Sequence, residues 1–178
     1  MYQCFPWGRG ERRGFKVFPS WHAHTIARQI KMFAADGVRG VFLDGTARYI
    51  DGYITIKLMD DPTLDVDRLL DEFFTRYYGA AAEPMKRLYL AIERTYMTEA
   101  NYPERFRNGS IMGAQEESTA WGYLGTPERM EKFGQWLEEA KAKADTESAR
   151  RRVAAYERDV WKEHMLVGRA KWESRKKQ

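Results

Sequence analysis

The chain has 178 residues, of which 43% are hydrophobic, 14% aromatic and 31% charged, and its formal net charge is +4. This composition excludes a disordered chain, which combines low hydrophobicity with a large charge imbalance, and the length suffices for one well-packed domain with or without an appendage. The single cysteine, Cys4, excludes an internal disulfide framework and a cysteine-based metal site.

The sequence carries no recognisable targeting or membrane signal. No apolar run approaches the roughly 20 residues that span a bilayer, and the N-terminal segment MYQCFPWGRGERR lacks the order of a signal peptide. The location is left open, with the cytoplasm expected if Met1 is the native start. The basic C-terminal run is interpreted as a solvated helix face, with a nucleic-acid or membrane patch as the alternative, so neither a membrane nor a nucleic-acid partner is expected. The run consists of Arg169, Lys171, Arg175, Lys176 and Lys177.

The N-terminal third predicts a loop region, a helix, a strand and a second helix. Glycines and prolines interrupt the aromatic, basic residues 1–21 too often for a long regular element. Helical spacing of apolar residues predicts a helix over about 24–36, and Gly37 fits the left-handed position that follows a helix. Residues 41–43 are consecutively apolar, which is typical of a strand covered on both faces in a parallel sheet. Residues 49–60 favour a helix over a strand.

The remainder of the chain, residues 62–178, predicts four or five helices. Asp65 is expected to be the N-cap of the first of them. Thr126 and Pro127 are expected to be the N-cap and first residue of a later helix, and Thr146 is expected to cap the last. No internal repeat and no low-complexity linker divides this region.

The predicted strand has no obvious partner elsewhere in the chain. Buried backbone donors and acceptors that stay unpaired cost about 1 to 3 kcal/mol each, so the strand needs a neighbour. Residues 2–5 form a second strand, or another chain supplies the sheet, or the polypeptide is the end of a longer α/β domain. The third explanation is the favoured one.

Several motifs resemble one family of proteins. The segments DGVRGVFLDG at 36–45 and DGYITIKLMDDPTLDVDRLLDEFFTRYYG at 51–79 resemble the C-terminal part of an uncharacterised domain of bacterial glycoside-hydrolase-like proteins. STAWGYLGTPERM at 118–130 and VWKEHMLVGRAKW at 160–172 extend the resemblance over nearly the whole chain. The family is related to barrel enzymes of the α-glucuronidase and hexosaminidase type, and some members are endo-β-N-acetylglucosaminidases that act on complex N-glycans.

The resemblance implies a mostly α chain with two domains. Residues 1–61 would be the last α/β step of a TIM-type (β/α)8 barrel, and residues 62–178 a C-terminal bundle of four or five helices packed on it. The active site of such a barrel lies at the carboxyl ends of its strands. The acid and base of the related hydrolases would come from earlier strands, so no catalytic residue is expected in this chain and the chain alone is expected to be inactive.

Four residues are candidates for contacts with a sugar. Asp44 ends the predicted strand, where its carboxylate would accept a hydrogen bond from a sugar hydroxyl in a full barrel. The alternative is that Asp44 is a turn aspartate that caps the following loop. Trp7 and Trp21 flank the preceding helix, and their rings can stack on sugar rings, with ordinary packing as the alternative. His22 is a candidate hydrogen-bond partner for a substrate hydroxyl, or a residue that merely flanks the helix.

A metal site and a cofactor are not expected. His22 and His24 are two residues apart in WHAH, so they would face apart on a helix, and no cysteine or carboxylate is grouped beside them in the sequence.

The resemblance therefore implies the C-terminal portion of a glycoside-hydrolase-like protein that takes part in glycan binding or hydrolysis without supplying the catalytic acid and base. A glycan is the expected partner. The exposed strand is also expected to associate, either in a homo-oligomer or with another chain. The alternative is a non-catalytic helical binding or interaction module that uses the aromatic N-terminal loop or the basic tail. A well-behaved monomer with cooperative melting would favour this alternative.

Overall fold

Helices make up most of the computed structural model, which describes residues 2–4, 14–44, 49–107 and 116–177. In these ranges, no helix is both long enough and apolar enough to span a bilayer. The elements in chain order are strand β1 (Tyr2–Cys4), helix α1 (Ala23–Ala35), strand β2 (Phe42–Asp44), then α2 (Tyr49–Asp60), α3 (Val66–Tyr78), a 3-10 turn (Gly79–Ala81), α4 (Ala82–Met97), a 3-10 turn (Glu99–Asn101), α5 (Glu104–Arg107), a π-helical segment (Thr119–Leu124), α6 (Pro127–Lys143), α7 (Glu147–Tyr156), a second π-helical segment (Glu157–Leu166) and α8 (Val167–Lys176).

Helix α1 ends as the sequence predicts. Gly37 has a φ of 78°, in the left-handed region that favours glycine. The Val38 N–H donates to the Phe33 carbonyl at 2.9 Å and the Gly37 N–H to the Ala34 carbonyl at 3.1 Å, so the last carbonyls of the helix are paired. The face of α1 that is buried towards α2 consists of Ala23, Ile26, Ala27 and Ile30.

The predicted N-caps are confirmed. The Asp65 side chain accepts a hydrogen bond from the Arg68 N–H at 2.9 Å at the start of α3. The Thr146 hydroxyl accepts one from the Ala149 N–H at 3.1 Å at the start of α7. Thr126 is the N-cap residue of α6, and a proline follows it in the first helical turn. These local signals place three helix starts correctly.

The two strands in the described ranges pair only with each other. They are parallel, with Cys4 opposite Asp44, and α1 forms the crossover between them. A second strand near the N-terminus is therefore the partner of β2. The prediction of the last α/β step of a TIM-type (β/α)8 barrel is wrong, because the described chain is a helical bundle with this short strand pair and no barrel. Three consecutive apolar residues are too few to tell a central strand of a large sheet from a local pair.

One hydrophobic core joins the N-terminal segment to the last helices. The Phe18 ring lies 6.1 Å from the Trp121 ring and 6.5 Å from the Phe133 ring, measured between centroids. The Nε2 atom of His164 lies 2.6 Å from the Val17 carbonyl oxygen, and this histidine is buried. The core thus includes both predicted domains, whose boundary after residue 61 stays a prediction.

Candidate functional site

Two buried carboxylates hold the N-terminus of α1. Asp51 of α2 accepts a hydrogen bond from the His22 N–H, at 3.2 Å to each carboxylate oxygen, and Glu93 of α4 accepts one from the His24 N–H at 3.0 Å. Each of these carboxylates is 3% exposed. The N-terminus of a helix has unpaired N–H groups and a positive partial charge, and both carboxylates complement it. They fix the WHAH segment against α2 and α4.

His24 forms the outer edge of this cluster. Its Nδ1 atom lies 2.8 Å from Glu93 Oε2, and its Nε2 atom lies 3.2 Å from Asp67 Oδ1 on α3. The hydrogen bond to Glu93 is the main cause that raises the pKa of His24 to about 9. His24 is therefore a cation at neutral pH, and it links α1 to α3 and α4.

Asp51 forms the inner part of the cluster. The Tyr89 hydroxyl donates to Asp51 Oδ1 at 2.7 Å, and the Tyr89 ring stacks on Trp21 with 5.3 Å between centroids. Burial raises the pKa of Asp51 to about 6, although the hydrogen bonds from Tyr89 and His22 oppose this shift. Burial lowers the pKa of His22. At neutral pH, Asp51 is therefore a carboxylate and His22 is uncharged.

The cluster has the chemistry of a structural contact between helices. Glycoside hydrolysis needs one carboxylic acid that can protonate the leaving group and a second carboxylate that faces the sugar or a water molecule. Asp51 and Glu93 are instead closed off from solvent and already accept hydrogen bonds from the backbone. Within residues 2–4, 14–44, 49–107 and 116–177, no three His, Cys, Asp or Glu side chains are grouped so that they could hold a metal ion.

A small aromatic cavity lies beside Trp21. Its volume is about 30 Å³, which has room for one or two water molecules and excludes a sugar ring. The Tyr156 hydroxyl is buried there and has no hydrogen-bond partner among the described residues. The other polar and aromatic residues that line the cavity include Phe73, Tyr77, Tyr89 and Arg152.

A wider groove lies between the C-terminal half of α4 and the N-terminal half of α6. Its volume is about 310 Å³, at the low end of the range of small-molecule sites, about 300 to 1,000 Å³. The 3-10 turn Glu99–Asn101, which follows α4, borders it through Asn101. We call this feature the α4–α6 groove; its polar and aromatic lining includes Arg94, Thr98, Asn101, Arg129, Lys132 and Trp136.

Hydrogen bonds fix one wall of the α4–α6 groove. Arg129 Nη2 donates to Asn101 Oδ1 at 2.6 Å, and Arg129 Nη1 donates to the Leu124 carbonyl at 3.0 Å. Asn101 Nδ2 donates to the Thr95 carbonyl at 2.8 Å. Because an amide nitrogen carries two N–H groups, this bond uses one of the two donors of Asn101.

Trp136 forms an apolar wall of the groove. It is half-buried, and its ring packs against Phe133 with 6.2 Å between centroids. The Lys132 ammonium lies 5.4 Å from the Trp136 ring centroid, and the Arg87 guanidinium carbon lies 5.8 Å from it. These cation–π contacts surround the indole with positive charge.

The structure brings together two of the four sequence-predicted site residues. Trp21 and His22 lie side by side at the N-terminus of α1; Trp21 is 4% exposed, and the His22 ring meets the Tyr96 ring edge-on at 5.4 Å. Asp44 is the last residue of β2, and its side chain is outside the described part of the chain. Trp7 lies outside the described residues altogether. The assignment of all four as glycan contacts stays a prediction.

Sequence reasoning missed the residues of the α4–α6 groove. Lys132 and Trp136 are four residues apart on α6, a spacing that puts a cation beside an aromatic ring on one helix face. This signal is present in the sequence. The sequence carries no comparable signal for Thr98 and Asn101, because their place in the groove depends on how the end of α4 packs against α6.

Residues 13–91 match the model of a family described as "Domain of unknown function (DUF4838)". The matched region runs from the N-terminal segment into α4, and it stops before the residues that line the α4–α6 groove from Arg94 onwards. Neither a curated protein nor a solved structure matches the chain.

Proposed function

We propose that this chain is a non-catalytic helical module that binds a glycan in the α4–α6 groove. The observation that carries the proposal is the composition of this groove. It combines an indole, Trp136, with the hydroxyl of Thr98 and the amide of Asn101 in a space of about 310 Å³. Sugars present apolar C–H faces and rows of hydroxyls, so aromatic rings and polar groups that both donate and accept hydrogen bonds suit them.

The resemblance of the chain to glycoside-hydrolase-like proteins supports a glycan as the ligand class. We further propose that the module belongs to a protein of that kind whose catalytic acid and base lie outside this chain. The groove itself favours binding over hydrolysis, because no Asp or Glu is among the described residues that line it. Hydrolysis would need two carboxylates about 5 to 10 Å apart on either side of the glycosidic bond.

Titration calorimetry with a panel of oligosaccharides tests this function on the full chain. Thr98 is exposed, so Thr98→Val removes one groove hydroxyl at nearly constant volume. We expect it to weaken binding about five- to tenfold, the effect of one lost hydrogen bond. The matched control is Thr75→Val, at an exposed position of α3 away from the groove, which should leave the affinity unchanged.

Trp136→Ala gives a second test of the apolar wall. We expect it to lower the affinity more than Thr98→Val does, because it removes the largest apolar surface of the groove. A thermal melt of the same variant shows whether the protein is still folded. Binding that persists in both folded variants would place the glycan elsewhere, and the proposal would then fail.

A further inference from the structure

All charged side chains that line the α4–α6 groove in the described part of the chain are cations. They are Arg94 on α4 and Arg129 and Lys132 on α6. Three positive charges around one space of about 310 Å³ create a positive potential that acts on any ligand entering it. The groove is therefore better suited to an anion than to a neutral molecule.

Two of these cations are available to a ligand. Arg94 and Lys132 are exposed, and neither forms an ion pair with a described carboxylate. The neighbouring cation Arg87, by contrast, pairs with Glu83 and Glu139. An unpaired guanidinium and an unpaired ammonium on facing helices can form charge-assisted hydrogen bonds with an anionic group between them.

The third cation, Arg129, has a different role in the groove. Its guanidinium donates to neutral acceptors, which are the carbonyl oxygens of Tyr123 and Leu124 and the amide oxygen of Asn101. Its position is thus fixed, and its charge is not neutralised by these partners. It adds to the positive potential while it orients Asn101 towards the groove.

We infer that the ligand of the α4–α6 groove is an anionic glycan, a sugar that carries a carboxylate or a sulfate group. This inference rests on the proposed function, since it takes a glycan as the ligand and adds its charge. Arg94 and Lys132 contact the anionic group, Thr98 and Asn101 contact sugar hydroxyls, and Trp136 supplies the apolar wall. The ammonium of Lys132 leaves the Trp136 ring when it turns to the anion.

The test compares a charged sugar with its methyl ester, in which the carboxylate charges are removed. Trigalacturonate and its neutral methyl ester are titrated into the full chain, and a sulfated heparin tetrasaccharide is titrated in parallel. We expect the trigalacturonate or the sulfated sugar to bind at least about tenfold more tightly than the methyl ester, because charge-assisted hydrogen bonds are lost on esterification. This preference should shrink as the salt concentration rises.

Two variants test whether the preference for the charged sugar arises in the groove. Arg94→Gln and Lys132→Gln should each weaken binding of the charged sugar several-fold and leave binding of the methyl ester unchanged. The matched control is Lys57→Gln on α2, because Lys57 also lies over an aromatic ring, with its ammonium 5.7 Å from the Tyr53 centroid, but lies outside the groove. This control should bind both sugars as the unmodified chain does.

The outcomes separate the inference from the proposed function. Equal affinity for charged and neutral sugars, still sensitive to Thr98→Val, would overturn the inference and leave the proposed function standing. No binding of any sugar would overturn both. Tighter binding of a single-stranded oligonucleotide, lost in Arg94→Gln and Lys132→Gln, would show that the groove takes nucleic acid and would also overturn the inference.

Discussion

His24 illustrates how one residue couples folding to pH. Its side chain is 44% exposed and lies between the carboxylates of Glu93 and Asp67, which belong to two different helices. In the unfolded chain those partners are gone, and the pKa returns to the ordinary value of 6.5. The folded value of about 9 is higher, so the stabilising contribution is fully present below pH 6.5 and disappears as the pH rises to 9.

We expect the free energy of unfolding to fall between pH 6.5 and pH 9, and the fall to be absent in His24→Gln. Solvent screening at this partly exposed site limits the effect to about 1 kcal/mol. Urea titrations at a series of pH values measure it. The control is His22→Gln, which should keep the fall, because burial lowers the pKa of His22 in the folded protein and its own titration therefore makes stability rise with pH, not fall. An equal fall in both variants would contradict the assignment to His24.

At the scale of elements, the first π-helical segment depends on a glycine of α8. A Cβ atom added at Gly168 would lie 2.6 Å from Cε2 of Trp121, far inside contact distance. Trp121 cannot retreat easily, because it is fully buried and its Nε1 donates to the Lys16 carbonyl at 2.7 Å. Gly168 thus permits the close approach of α8 to this segment.

Gly168→Ala should lower the free energy of unfolding by about 1 to 3 kcal/mol, the cost of overpacking a core. Chemical denaturation at fixed pH measures the change. Gly122→Ala is the matched control, since its Cβ would meet the nearest atom, Cζ2 of Trp172, at an ordinary 3.6 Å. We expect this control to be unchanged or slightly more stable, because alanine favours a helix more than glycine does. Equal losses in the two variants would refute the role of the Trp121 contact.

Local patterns in the sequence predicted the helices well and their packing poorly. Asp65, Thr146 and Gly37 act within a few residues of their own positions, so their signals are readable from sequence alone. The π-helical segments were not predicted, because their apolar residues do not depart clearly from an α-helical spacing. The barrel prediction failed on residues 41–43, whose apolar run fits a short strand pair as well as a large sheet.

The candidate site residues also show that sequence patterns do not predict packing. Trp21 and His22 were noticed because they stand out in the sequence, yet the structure buries Trp21 and uses the backbone of His22 to bind Asp51. The α4–α6 groove depends on side chains from two helices whose relative placement no local pattern records. His164 is buried against the Val17 carbonyl, a contact between residues 147 positions apart that no local pattern records.

At the scale of the whole molecule, the matched region 13–91 shares its core with the rest of the chain. Phe18 packs on Trp121 and Phe133, which lie outside the matched region. The match also ends inside α4, the helix that packs along α6. Removal of the residues after 91 would therefore expose apolar side chains and cut a helix before its end.

We expect the full chain to melt in one cooperative transition and a fragment of residues 13–91 to lack cooperative folding. The reason is that apolar burial is the main favourable term in folding, and the fragment loses the partners of Phe18 as well as the packing of α4 on α6. Calorimetry together with near- and far-ultraviolet circular dichroism measures the full chain and the fragment under the same conditions. Retained far-ultraviolet helicity without a melting peak in the fragment would fit the expectation. A sharp, reversible transition in the fragment, with native-like near-ultraviolet signals, would show that the matched region folds alone and that α6 to α8 form a separate unit.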